Sequence, residues 1–184
     1  MTSQATALYP QDDLDALVRG LANGEGVESV EAALSSCPAD PRLHFLHGSV
    51  LAGDRRYPEA RAAIGCAVEL APDYAIARFQ LGFLEFTSGE PDLANRTWEP
   101  LATLPTDHAL RRFADGLMRL PADDIEGAVA LLRQGIEAND ENPALNRDMQ
   151  MLIDELLRTQ PPSPAEEPMS ETQLLLRQLG GTRH

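Results

Sequence analysis

The chain has 184 residues, enough for one domain with a real core, and 43% of them are hydrophobic while only 5% are aromatic. That balance suits an alanine- and leucine-rich helical protein rather than a sheet protein. The formal net charge of -14 would be repelled by nucleic acid and by anionic membrane, so neither is expected as the main partner.

Cys37 and Cys66 are too few for a disulfide framework or a zinc site and read as reduced thiols. The start of the chain lacks the basic and apolar runs of a signal peptide, and no stretch reaches the roughly 18 apolar residues of a membrane span. A cytoplasmic protein is expected. In chain order, residues 1–6 are small and polar and read as a disordered N-terminus. Leu14, Leu17, Val18 and Leu21 then recur at helical spacing, broken by Asn23-Gly24-Glu25-Gly26. A second helix carries Val30, Ala33 and Leu34 and stops near Pro38.

From Pro41 onward the chain repeats itself. Gly48 and Ala60 are followed by Gly82 and Ala94, then by Gly116 and Ala128, each pair 34 residues after the last. Given the first pair, chance yields both copies on the order of one time in ten thousand per period tried. A period of this length marks a helix-turn-helix array. Pro41 opens the first unit, Gly53-Asp54 turns it, and Pro58 to Val68 forms its second helix, ended by Pro72. The second unit spans 75–104, with a kink or early end expected at Pro100. The third spans 107–138. The first hairpin is a degraded copy, since Val30, Ala33 and Pro38 precede Ile64, Ala67 and Pro72 by one period while Leu14 and Gly26 replace its landmarks. Pro143 opens a last, unpaired helix over 143–158, suited to capping the array 7–158. Residues 159–168 hold four prolines and read as a semi-rigid linker. In the final segment, 169–184, Ser170 and Gln173 form a capping box before a short helix bearing Leu175, Leu176 and Leu179. Such a helix is too short to be stable alone and is expected to dock.

Gly48, Ala60, Ile64, Ala67 and Pro72, with Tyr57 and Glu59 ahead of the alanine, resemble a tetratricopeptide repeat (TPR). The fold class the resemblance implies is all-α: a right-handed superhelix of antiparallel helix pairs, with three clear repeats, one degenerate N-terminal repeat and a C-terminal capping helix. The family's aromatic four residues before the glycine is replaced here by His44, Arg78 and Arg112. Its leucine just before the glycine survives only as Leu81, with His47 and Asp115 elsewhere, and its later aromatic becomes Leu51, Glu85 and Arg119. By resemblance, such arrays hold peptide segments in a concave face lined by each first helix. Carried over, the lining is Arg42, Phe45, Ser49 and Ala52, then Ile76, Phe79, Phe83 and Phe86, then Leu110, Phe113, Leu117 and Leu120. The groove expected to bind a partner is therefore Phe45, Ile76, Phe79, Phe83, Phe86, Leu110, Phe113 and Leu117. The same 3, 4, 3 spacing also describes a core stripe. The basic and asparagine pair with which chaperone-tail adaptors of the family clamp carboxylates is absent.

No chemistry is expected. His44 and His47 lack a third ligand, the acidic pairs are solvated or helix-start residues, no glycine-rich phosphate loop is present, and Trp98 reads as packing between helices. The sequence predicts no enzyme, no cofactor and no metal. It predicts a scaffold binding an apolar or helical segment of a protein, with its own C-terminal helix or a second protomer as further occupants of the groove. A dedicated chaperone for one client is the alternative, as is a regulatory or ligand-sensing subunit in which His44, His47, Arg78 and Arg112 face a pocket.

Overall fold

The computed structural model describes residues 8–159, and every regular element among them is helical. The N-terminal residues 1–6, the linker beyond Thr159 and the docking leucines Leu175, Leu176 and Leu179 lie outside the described residues. The helices are α1 (Gln11–Ala22), α2 (Val27–Ser36), α3 (Pro41–Gly53), α4 (Tyr57–Leu70), α5 (Ala75–Thr87), α6 (Pro91–Trp98), α7 (Ala109–Leu117), α8 (Ile125–Glu137) and α9 (Pro143–Thr159). Prolines sit in the first turn of α3, α4 and α6, where a missing N–H costs nothing. Pro100 ends α6 as its position requires, and the chain continues as a 3-10 turn over Glu99–Thr103. The first helix of the third unit is short: α7 stops at Leu117, and a 3-10 turn at Leu120–Ala122 holds Pro121 before Asp123 takes a left-handed φ of 58°.

The repeating glycines are where paired helices meet. A Cβ on Gly48 would lie 2.9 Å from the Ala60 carbonyl and collide with Ile64, and one on Gly82 would strike the Trp98 indole. On Gly116 it would sit 3.2 Å from the Ala128 carbonyl. Ile64, Trp98 and Leu132 are one period apart, so each repeat fills the space beside its glycine with a residue of different size. The pairs α3–α4, α5–α6 and α7–α8 pack most closely, while α1 and α2, with Leu14 and Gly26 at the landmark positions, are not among the close pairs. A core runs through the stack, from Leu14, Val30 and Leu43 through Leu51, Ile64 and Ala77 to Phe79, Trp98, Phe113, Leu132 and Met149. On α9, Leu145, Met149 and Ile153 are buried against it while Met151 and Leu157 remain exposed, as befits a terminal helix.

The polar residues at the positions where a tetratricopeptide repeat carries aromatics bond specific backbone groups. The His44 ring nitrogen donates to the Pro38 carbonyl at 2.7 Å, and Arg78, one period on, donates twice to the Pro72 carbonyl (2.7 and 3.2 Å) and once to that of Thr97. Arg112 donates to the Gln134 carbonyl of α8. His44 and Arg78 thereby satisfy carbonyls just past helix ends, which the helices cannot satisfy themselves, while Arg112 adds a second bond to a carbonyl that already accepts the Ala138 N–H. The buried Glu85 accepts the Thr97 hydroxyl at 2.6 Å and lies 3.8 Å from Arg61, tying α4, α5 and α6 together.

The loose first hairpin is secured by a polar clamp. Fully buried Asp40 caps α3 by accepting the Arg42 N–H, and it also accepts the Tyr9 N–H and the Arg42 guanidinium. Arg42 in turn donates to the Tyr9 carbonyl and to Gln11. Burial raises the Asp40 pKa, but these bonds more than offset it and hold the carboxyl below its ordinary range. Arg42, expected on the binding face, is thus committed to the N-terminal hairpin.

Candidate functional site: the face of the first helices

The stripe assigned to the groove divides between core and surface. Phe79 and Phe113 are wholly buried, with ring centroids 5.9 Å apart. Phe79 stacks on Trp98 at 5.8 Å, and the Trp98 indole N–H donates to the Phe79 carbonyl at 3.0 Å. The Phe113 ring occupies the space above Gly135 of α8, where any Cβ would collide with it. Leu110 and Leu117 are buried as well. Phe79, Leu110, Phe113 and Leu117 therefore belong chiefly to the core, because α6, α8 and α9 close over them. Phe45, Ile76, Phe83 and Phe86 are only partly buried.

Two hollows lie along the surface of the first helices and share α3 and α5 as walls. One, of about 640 Å³, is bounded by Phe45, Tyr74, Ile76 and Leu110, by His108 and by the loop 138–142. Phe45 meets Tyr74 edge-on at 5.3 Å. His108 caps α7 by accepting the Leu110 N–H. Asn139, Asn142 and Asn146 bond one another at the rim, and Asn142 caps the start of α9. The other hollow, of about 620 Å³, is bounded by Ser49 and Ala52 of α3, by Gln80, Phe83 and Thr87 of α5, by Tyr57 and by Asp148 of α9. Asp148 is exposed, yet the walls withdraw enough water from its carboxyl to raise its pKa above the ordinary value, with Arg147 opposing the shift. The face is thus an apolar strip of Phe45, Ile76 and Phe83, interspersed with amide and hydroxyl groups and bordered by acids.

Several of these residues escape the repeat pattern. Gln80 falls between the lining positions of α5, Asp148 belongs to the last, unpaired helix, and the asparagine rim spans the loop before that helix and its first turn. Tyr74 precedes α5. Gly135 carries a signal in its type alone, a glycine inside a predicted helix, but nothing in the sequence says that Phe113 fills the gap.

His44 and His47 line a separate outer hollow of about 450 Å³ with Leu34, Leu51, Ala63 and Cys66. The buried His47 Nε2 has no hydrogen-bond partner among the described residues and lies 3.6 Å from Glu31; burial lowers its pKa, which Glu31 opposes. Arg78 and Arg112 are not there: both are spent on backbone carbonyls. Among the described residues no group of three or more His, Cys, Asp or Glu is placed to hold a metal, and no helix is long and apolar enough to cross a membrane.

The class defined by these features is an all-α helical-repeat protein. No family model matches the sequence, and no curated protein matches it. Solved structures do. MamA 41-end from Desulfovibrio magneticus RS-1 superposes with a TM-score of 0.57 at 16% identity, over 84% of this chain and 99% of that one. A MamA RS-1 ArsTM double mutant gives 0.57 at 15% identity, over 83% and 97%. At such identities the likeness concerns the fold, a TPR-like right-handed superhelix of antiparallel helix pairs.

Proposed function

We propose that this chain is a protein-interaction scaffold whose concave face, lined by α3 and α5, binds an apolar or helical segment of another protein. The observation that carries the reading is the pair of adjoining hollows with Phe45, Ile76 and Phe83 incompletely covered at their base. Apolar side chains left partly open on a rigid helical surface, with Gln80 and Asn142 beside them to orient a ligand, are what a peptide-binding groove requires. The fully buried stripe residues support the floor rather than touch the ligand.

Affinity capture with mass spectrometry tests this when wild type is run beside Phe83→Asp and Ile76→Asp. Both positions are partly open, so the array should still fold, which circular dichroism checks. A partner retained by wild type and lost from both variants supports the face; a partner retained equally by all three places its site elsewhere. One tight client in that experiment favours a dedicated chaperone, several favour an adaptor.

A further inference from the structure

The binding face carries a charge pattern that selects its occupant. Asp148 enters the second hollow opposite Phe83, and it forms no ion pair among the described residues. Asp140 and Glu141 border the first hollow in the same condition. Carboxylates without ion-pair partners at the walls of hollows that hold partly open phenylalanines are complemented by an apolar segment that brings its own cations. The chain contains such a segment. Overall it holds 29 acidic residues against 15 basic ones, yet residues 172–184 include Arg177 and Arg183 and no acid, together with Leu174, Leu175, Leu176 and Leu179.

Its reach is sufficient. Helix α9 carries the chain eleven residues past Asp148 to Thr159, about 16 Å at the rise of an α-helix. Ten residues such as 160–169, with Pro161, Pro162, Pro164 and Pro168, are enough chain to span about 30 Å at polyproline spacing. The tether can therefore turn back and regain the level of Asp148. A helix of ten residues has little stability alone, so burial of its leucines is what would fix it.

We propose that residues 172–183 occupy the hollow walled by α3, α5 and α9 in the same molecule, with leucines against Phe83 and arginines toward Asp148. An outside partner then gains the face by displacing this segment. The proposal rests on the reading of that face as the binding surface.

The test uses the full chain and a fluorescent peptide of residues 170–184, followed by anisotropy. In wild type the face is filled, whereas Leu175→Glu/Leu179→Glu releases the tail. The released variant should bind the peptide at least about tenfold more tightly than wild type. Adding Asp148→Lys should abolish that binding, and a peptide carrying Arg177→Glu/Arg183→Glu should regain it on the lysine variant. Equal binding by wild type and released variant, no binding by either, or indifference to residue 148 each overturns the proposal. So does wild-type self-association that Leu175→Glu/Leu179→Glu removes, since the tail then serves a second copy. If the released variant ignores the peptide but still captures a partner that Phe83→Asp loses, the face stands and the tail assignment falls.

Discussion

Helices α5 and α7 carry the same stripe one period apart, Ile76, Phe79, Phe83 and Phe86 against Leu110, Phe113, Leu117 and Leu120, and the array treats the two differently. On α7 the first three are buried; on α5 only Phe79 is. The cause is the company each helix keeps. Leu145, Met149 and Ile153 of α9 join the core around Phe113 and Leu117, and Gly135 admits the Phe113 ring. Helix α5 instead presents Ile76 and Phe83 to two hollows. An amphipathic stripe says which side of a helix is apolar; the next element decides whether that side is floor or surface.

The sharpest way to break this comparison is to empty the two phases. Phe113→Ala should cost about 3–5 kcal/mol, as for a fully buried aromatic whose cavity cannot collapse. Phe83→Ala should cost about 1 kcal/mol, because part of the ring is already in water and its loss leaves no sealed void. Urea unfolding of both variants reads the gap. Equal losses would mean that Phe83 is as much core as Phe113, and the proposed binding face would lose its floor.

Much of this was legible beforehand. The glycine–alanine period, the proline starts and the break at Pro100 follow from backbone rules that act within a few residues. Three features were not legible, and for a common reason. That Phe79 belongs to the core while Phe83 borders a hollow depends on how α6 and the distant α9 pack against α5, which no pattern within α5 records. The roles of Arg78 and His44 depend on carbonyls orphaned six residues earlier, and no propensity records those. Asp148 looks like an ordinary surface acid on an amphipathic helix until α3 and α5 are placed across from it.

The glycines of the two helices give a second, smaller contrast. Alanine at Gly116 meets the Ala128 carbonyl and the side chains of Leu131 and Leu132 at 3.2–3.3 Å, so α8 need yield only slightly. The gain of about 1 kcal/mol in helix propensity should nearly cancel that cost. Alanine at Gly82 runs into the Trp98 indole, which is pinned by its bond to the Phe79 carbonyl and stacked on the Phe79 ring. Overpacking there should leave a net loss of about 1–2 kcal/mol, with changed tryptophan fluorescence as an independent sign that the indole has moved. Similar melting temperatures for the two variants would show that the α5–α6 contact is no tighter than the α7–α8 contact.

The smallest expected difference lies with Arg78 and Arg112, which stand where a tetratricopeptide repeat carries aromatics. Arg78 makes two bonds to the Pro72 carbonyl, just past the end of α4, and reaches Thr97 in α6, so it joins two repeats as well as the helices of one. Arg112 makes one bond of 3.2 Å to the Gln134 carbonyl of its own partner helix. Both guanidinium groups are partly solvated, which limits what each bond contributes. Arg78→Ala should therefore cost about 1 kcal/mol and Arg112→Ala a few tenths. Arg78→Lys separates charge from geometry: the ammonium still favours the carbonyl end of α4, but it cannot span Pro72 and Thr97 as the planar fork does. If the lysine variant matches wild type in urea unfolding, the charge near the helix end is what α5 uses. If it matches the alanine variant, the bridge between repeats is what holds α5 in register, and with it the position of Phe83 on the face.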